Sequence, residues 1–371
     1  MSILFRKNMG SVKDLTVIVP PTEQSLGSGI FDFSDRYSIF DWGEMPDHIP
    51  NKGSALLLMA AWNFEELQRQ GVQTHYIGIR NSENKSTTIR KLKEPTTKIE
   101  VSLSRVIEPI FKDGEYDYSY FINGRDVINN FIVPLEVIYR NGAPKGSSLF
   151  KTINEMERLG ETEKLKSFFS KYGLTDTPQP GQVFTKTGYD FTTKFEPSDR
   201  RVSDETAYTI SGLLPEQFKE LQEVRNTAVK VVRKRSSQVG LIDFDGKHEY
   251  RLFDGQVSIA DVFGTLDENR FMIQLHGKQV QVSKEFLRQY HKKHQKDWYE
   301  ETERAKQEAK QKSVEDWTSL SRIKPQPLPP ALVSLVGEMY ASASDRYTSS
   351  GLFKKARALE QVMEDLMLYM E

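Results

Sequence analysis

The chain has 371 residues, 37% of them hydrophobic, enough to bury one large core or two moderate ones, which excludes a protein disordered throughout. Its 51 basic and 52 acidic residues give a formal charge of −1, so it has no global basic footprint for nucleic acid and no polycationic pull towards a membrane, and neither partner is expected. Cysteine is absent, which excludes a disulfide framework, a thiolate zinc site and a cysteine nucleophile, and is compatible with the cytoplasm, the compartment expected.

The opening MSILFRKNMGSVKDL has no continuous apolar segment of signal-peptide type, and no run approaches the roughly 20 apolar residues that span a bilayer, so a soluble, unsecreted protein is expected. Short β-rich runs follow up to about residue 103: LTVIVPP, GIFDFSD, THYIGI and KIEVSLS, separated by Gly, Pro, Asn and Ser clusters. One helix interrupts them at residues 54–70, where Leu57, Ala61, Phe64 and Leu67 recur at spacings of three and four. FIVPLEVIY, residues 131–139, reads as a strand running into the polar turn RNGAPKGSS, and residues 149–172 read as charged helix before the loop TDTPQPGQ.

A helix is expected over residues 215–234, with Pro215 in its first turn and Phe218, Leu221, Val224, Ala228 and Val231 on one face. Its Arg233, Lys234 and Arg235 read as cations complementing a helix C-terminus rather than as a nucleic-acid patch. Strand, Asp-Gly turn and strand follow in GLIDFDGKHEYRLFDGQVSIADVF, then one long polar helix over residues 283–319 and a stiff linker, KPQPLPP. The final helix carries an apolar stripe, Leu359, Met363, Leu366 and Met370, which either docks on its own protein or forms a subunit interface, so a homo-oligomer stays open.

Neither GxxxxGK[ST] nor GxGxxG occurs, so a nucleotide site must be built another way. The 245–261 hairpin is the best candidate, because Lys247 and Glu249 share a strand face. A two-residue loop at Asp254 and Gly255 pairs Phe253 with Gln256 and sends Asp261 to the opposite face; a three-residue loop pairs Leu252 with Gln256 and sets Asp261 across from Lys247. Function requires the second register. Two converging carboxylates would suit Mg²⁺, which takes one or two protein oxygens and fills its other positions with phosphate and water. The bland alternative is a solvated hairpin of alternating charge. A histidine metal site is not expected: His291 and His294 are the one helix-spaced pair, and Lys292, Lys293 and Lys296 surround them.

DRYSIFD with IPNKG, Trp62, Thr74 with His75, PLEVIYRNGAPKGS, DGKHEY and DVFGTLDENRFM occur in the order of the motifs of SAICAR synthetases, and the chain resembles that family over about residues 10–298. The resemblance implies an α+β fold with a small β-rich N-terminal lobe (1–130), a larger ATP-grasp-like nucleotide and substrate lobe (131–323) and a helical C-terminal extension (324–371). It implies an ATP-dependent ligase that joins the carboxylate of carboxyaminoimidazole ribonucleotide to the amine of L-aspartate through an acyl phosphate. Carried over by position, Lys13, in GSVKDL, is the ATP-phosphate cation, Glu249 and Asp261 hold Mg²⁺, and Lys247 lies beside the nucleotide; a surface lysine is the plain alternative for Lys13. Arg140, Ser147, Arg270 and Arg288 bind the ribonucleotide and its phosphate, a task that suits the planar fork of arginine. TTKFEPSD supplies Lys194 and Asp199, while Asp35 and Arg36 organise a substrate loop or form an internal structural pair.

Five positions depart from the family pattern: Ser11 replaces a lysine, Val262 an acid, Leu266 a proline, Asn269 a serine and Met272 a tryptophan. Ser11 removes a cation from the phosphate site, and the other four are expected to border the carboxylate-bearing substrate. A related ligase with a different carboxylate or amine, and a non-catalytic relative, are therefore kept as alternatives.

Overall fold

A computed structural model describes residues 6–10, 12–112, 114–312, 314 and 316–371. Strands β1 (Arg6–Met9), β2 (Lys13–Val19) and β3 (Gly27–Phe33) lead into α1 (Lys52–Arg69), followed by β4 (Tyr76–Arg80), β5 (Ser86–Thr87) and β6 (Lys98–Leu103). These strands form an antiparallel sheet in the order β1-β2-β3-β6-β4-β5. A small hairpin, β7 (Ile110–Lys112) and β8 (Glu115–Asp117), and helix α2 (Ser119–Gly124) precede the long strand β9 (Phe131–Ala143).

The segment read as one charged helix is two, α3 (Ser148–Arg158) and α4 (Thr162–Tyr172), separated at Gly160, whose φ of 67° breaks the first. They cover a small core of their own, Leu149, Ile153, Phe169, Tyr172 and Phe184. Strands β10 (Gln182–Thr193) and β11 (Arg201–Val202) and helices α5 (Asp204–Ile210) and α6 (Pro215–Gln238) come next, with Pro215 opening α6. Strands β12 (Ile242–Phe253), β13 (Gln256–Ala260), β14 (Arg270–Leu275) and β15 (Lys278–Gln281) complete a second antiparallel sheet, β11-β10-β9-β12-β14-β15, with β13 also paired to β12.

The β12–β13 turn corrects the register that function was expected to require. Asp254 and Gly255 both have positive φ (51° and 72°), the backbone of a two-residue hairpin loop, and Phe253 pairs with Gln256. Asp261 is delivered to the site by another route. It stands just past the end of β13 with φ 55°, so its side chain leaves the alternation of the strand.

The expected long polar helix is also broken. Helix α7 (Lys284–His294) stops at Gln295 and α8 (Lys296–Lys312) begins at once, with a short 3₁₀ turn at Trp317–Leu320 beyond it. The interruption has a tertiary cause: Gln295 donates to the Gln326 carbonyl (2.8 Å) and accepts from the Gln326 N–H (2.9 Å), clipping the returning chain. After the linker, α9 (Pro330–Thr348) and α10 (Leu359–Leu368) close the molecule. Leu359, Met363 and Leu366 of the C-terminal stripe are buried within the chain against α9.

Helix α1 is the pivot of the core. Its residues 52–61 are buried on every side, more than the single stripe its spacing suggested, because the N-terminal sheet, α6 and α9 all pack against it. Among the described residues no helix is long and apolar enough to cross a membrane.

Candidate active site

Alternation along β9 puts Glu136, Ile138 and Arg140 on one face of the second sheet, and the antiparallel registers set Glu249, Lys247 and Asp245 of β12 directly opposite them. Lys247 Nζ donates to Glu136 (2.6 Å) and Glu249 (3.2 Å) and lies 3.9 Å from Glu268. Burial works against its charge, but Glu268, Glu249 and Glu136 keep its pKa well above the usual lysine range. Glu136 is pushed up by burial, with Lys247 pulling the other way.

At the end of this row two ion pairs bring distant segments together. Lys194, one residue past β10, holds Glu249, and Lys13, the first residue of β2 in the other sheet, holds Asp261. Burial opposes ionisation of Asp261, yet Lys13 and Lys194 hold its carboxyl well below the usual carboxylate range. Lys194 is depressed by burial and raised beyond that by Glu249 and Asp261, so it is a firmly protonated ammonium. Three lysines and two carboxylates thus converge where the two sheets meet. Ser11, the expected loss of a further cation here, lies outside the described residues.

The other end of the row opens into a cavity of about 570 Å³ lined by Arg140, Asp199, Lys247, Arg270 and Arg288 among others. Arg270 grips Asp245 with two N–H groups, and Arg140 lies 3.8 Å from Asp245 and 3.6 Å from Asp190, so the arginines are held in place by carboxylates behind them. Asp199 is raised by burial, with Lys247 lowering it. Helix α7 presents Lys284, Arg288 and Lys292 to the cavity at intervals of four, a cationic edge of which sequence reading found only Arg288; the i,i+4 spacing was the available signal.

Three expected contacts lie elsewhere. Ser147 is buried and caps α3, accepting from Leu149 N–H (3.3 Å), and its neighbour Ser148 lines the cavity instead. Arg36 pairs with Asp14 (2.5 Å) and donates to the Gly10 carbonyl (3.0 Å), and Asp35 accepts from Gly53 N–H (3.0 Å). Both therefore fix the segments flanking Lys13 and Lys52. Gly53 is required there because a Cβ would stand 2.6 Å from the Phe33 carbonyl.

The departures expected to border the substrate are mostly core. Val262, Leu266 and Met272 are buried and do not line the cavity, since the strand and turn that carry them point those side chains inward. Asn269 reaches the cavity wall but spends its amide on Tyr139 and on Asp243 (2.9 Å). Asp243, wholly internal, also accepts from Tyr139 (2.9 Å) and Asn141 (3.0 Å), and burial raises it to about 7. In the same wall Asp267 is clamped by Lys52 (2.8 Å) and by the hydroxyl of Tyr340 from α9 (2.7 Å).

A family model described as SAICAR synthetase matches residues 10–305. A curated Archaeoglobus fulgidus protein with the provisional name phosphoribosylaminoimidazole-succinocarboxamide synthase is 36% identical, over 98% of this chain and 100% of that protein, so the likeness extends through the C-terminal helices. A Saccharomyces cerevisiae SAICAR synthase, solved with SAICAR, is 18% identical with a TM-score of 0.58, over 93% of this chain and 95% of that one. A type-2 SAICAR synthetase solved with ADP is 17% identical with a TM-score of 0.50, over 76% of this chain and 90% of that one. The two solved structures share the fold.

Proposed function

The chain belongs to the SAICAR synthetase family, and from that premise we propose how its own residues carry the reaction. It is an ATP-dependent ligase of purine biosynthesis, a phosphoribosylaminoimidazole-succinocarboxamide synthase. A free carboxylate is a poor acyl donor. In our reading the terminal phosphoryl group of ATP passes to the imidazole carboxylate, breaking the bond to ADP and giving an acyl phosphate. The amine of L-aspartate then attacks the acyl carbon, forms the C–N bond, expels inorganic phosphate and loses a proton.

The observation that carries this reading is the convergence of Lys13, Lys194 and Lys247 on Glu249 and Asp261, joined through Lys247 to a cavity that Arg140, Arg270 and Arg288 line. Phosphoryl transfer needs positioning and charge stabilisation more than covalent help. The three lysines offset phosphate charge, and the three arginines with Asp199 seat the ribonucleotide. Asp35, Arg36 and Ser147 act by holding the segments that carry those contacts.

The reading includes Mg²⁺, held by Glu249 and Asp261. The donors fit: both are hard carboxylates, and among the described residues no group of three or more His, Asp or Glu donors could hold a metal alone, so phosphate and water would complete the shell. When bound, Mg²⁺ neutralises charge on the phosphate oxygens. The burial of Val262, Leu266 and Met272 supports the family's own substrates over a different carboxylate or amine. The parts we assign are residues 1–130, 131–323 and 324–371, in a cytoplasmic protein without nucleic-acid or membrane partners. A homo-oligomer belongs to the reading, supported by the exposed Ile110 and Phe111 of the β7–β8 hairpin.

The test is ADP release with Mg²⁺, ATP, carboxyaminoimidazole ribonucleotide and L-aspartate, omitting each in turn. Release that needs every component and falls by about 10²–10³ in Glu249→Ala is expected. ATP binding without turnover on this pair would overturn the substrate assignment.

A further inference from the structure

A second cavity, of about 590 Å³, lies between β10 and α6 and shares no residue with the first. Tyr189 of its wall alternates with Asp190, so it looks away from the substrate side of the sheet. Its cationic lining is Lys171, Lys186, Arg225, Lys230 and Arg233, against one carboxylate, Asp204. Lys171 is paired with Asp190 (2.6 Å). Among the described residues none of the other four has a carboxylate in ion-pair contact; Lys186 and Arg233 donate only to the carbonyls of Ser170 (3.3 Å) and Phe184 (2.8 Å).

Arg225 is the most telling of these. Its guanidinium lies 4.0 Å from the Tyr189 ring centre and 5.5 Å from that of Phe191, and its Nε and Nη1 are shielded from solvent without an acceptor. Burial lowers its pKa from the usual range, and the opposing pull of Tyr189, Tyr250 and Asp204 does not make up for it. A charge held this way costs free energy that an anion in the same cavity would offset. The strand is shaped to leave the space: between the Val183–Gly142 and Gly188–Arg140 pairs, residues 184–187 of β10 face Asn141 alone, and this bulge carries Lys186 to the rim.

We propose that this cavity is a second anion site, distinct from the substrate cavity, that takes a small, multiply charged phosphate compound on Arg225, Lys186 and Lys230. The volume is that of a small-molecule pocket, and a net charge of −1 on the whole chain argues against a polyanion spread over the surface.

Inorganic pyrophosphate is the probe, titrated calorimetrically into the full chain carrying Arg288→Ala so that the substrate cavity competes less. Binding is expected there, weakening as salt rises, and falling about tenfold or more when Lys186→Glu and Lys230→Glu are added. Both lysines are exposed, and the double variant without Arg288→Ala is expected to release ADP at the parent rate, which checks its fold. No binding in the Arg288→Ala background, or a loss clearly below tenfold on adding the two glutamates, overturns the proposal.

Discussion

Asp267 shows how a site residue can depend on a side chain that no motif contains. Its carboxylate is nearly enclosed, with Lys52 on one oxygen and Tyr340 on the other. Burial pushes its pKa up, but Lys52 and Lys284 hold it below the usual range, so it stays ionised and needs both partners. Removing one donor from a buried carboxylate costs about 1–3 kcal/mol. Tyr340→Phe is therefore expected to lower kcat/KM by about tenfold or more while the secondary structure persists, measured by ADP release beside circular dichroism. Unchanged kcat/KM would show that Asp267 does not need the hydroxyl. Sequence reading reaches Lys13, Lys194, Lys247, Glu249 and Asp261 because charged residues in ordered motifs stand out. It misses Tyr340 because one tyrosine in an apolar segment carries no polar pattern, and Glu136 because its signal is only a carboxylate inside an otherwise apolar strand.

Helix α9 brings Tyr340 to the site by lying close on the entry to α1. Gly337 makes that possible: a Cβ there would stand 2.6 Å from the Pro50 carbonyl, a backbone atom that cannot swing away. Gly337→Ala gains helix propensity but must separate the two segments, so a net loss of about 1–3 kcal/mol is expected in urea unfolding, with reduced turnover. A gain in stability would mean that the contact yields easily. The elements themselves were largely legible where one face is apolar, as in α6, and where a short run is densely apolar and β-branched, as in β9. Three features were not. The break at Gln295 comes from a contact with Gln326, the hairpin register rests on two positive-φ residues, and α9 is buried on too many sides to show a stripe. Each is decided by tertiary packing or by a single torsion, which local periodicity does not encode.

Across the whole molecule the buried histidines set the response to acid. Burial lowers His75 to about 3, His248 to about 3 and His291 to about 4, all below the ordinary 6.5. A base depressed in the fold gives stability that is present above the unfolded pKa and lost as pH falls towards the folded value. Asp243, raised to about 7, acts in the opposite sense, as do Glu136 and Asp199, while Asp190, Asp261 and Asp267, held below the usual carboxylate range by neighbouring cations, act with the histidines. Tm is therefore expected to fall as pH drops from about 6.5 to 4, each histidine contributing up to ~1.4 kcal/mol per pH unit, and His248→Gln is expected to flatten that slope. A Tm that holds or rises over this range would sink the assignment of neutral histidines. The pairing of α1 with α9 also has a consequence in time. Ser344 of α9 donates to the Ala55 carbonyl of α1 across 289 residues, which a ribosome adding about 5–20 residues per second needs roughly 15–60 s to make. Throughout that interval the nascent chain carries an α1 without its cover, and in its last part an Asp267 pocket lacking Tyr340, so apolar surface is open to chaperones and to neighbouring nascent chains until α9 emerges.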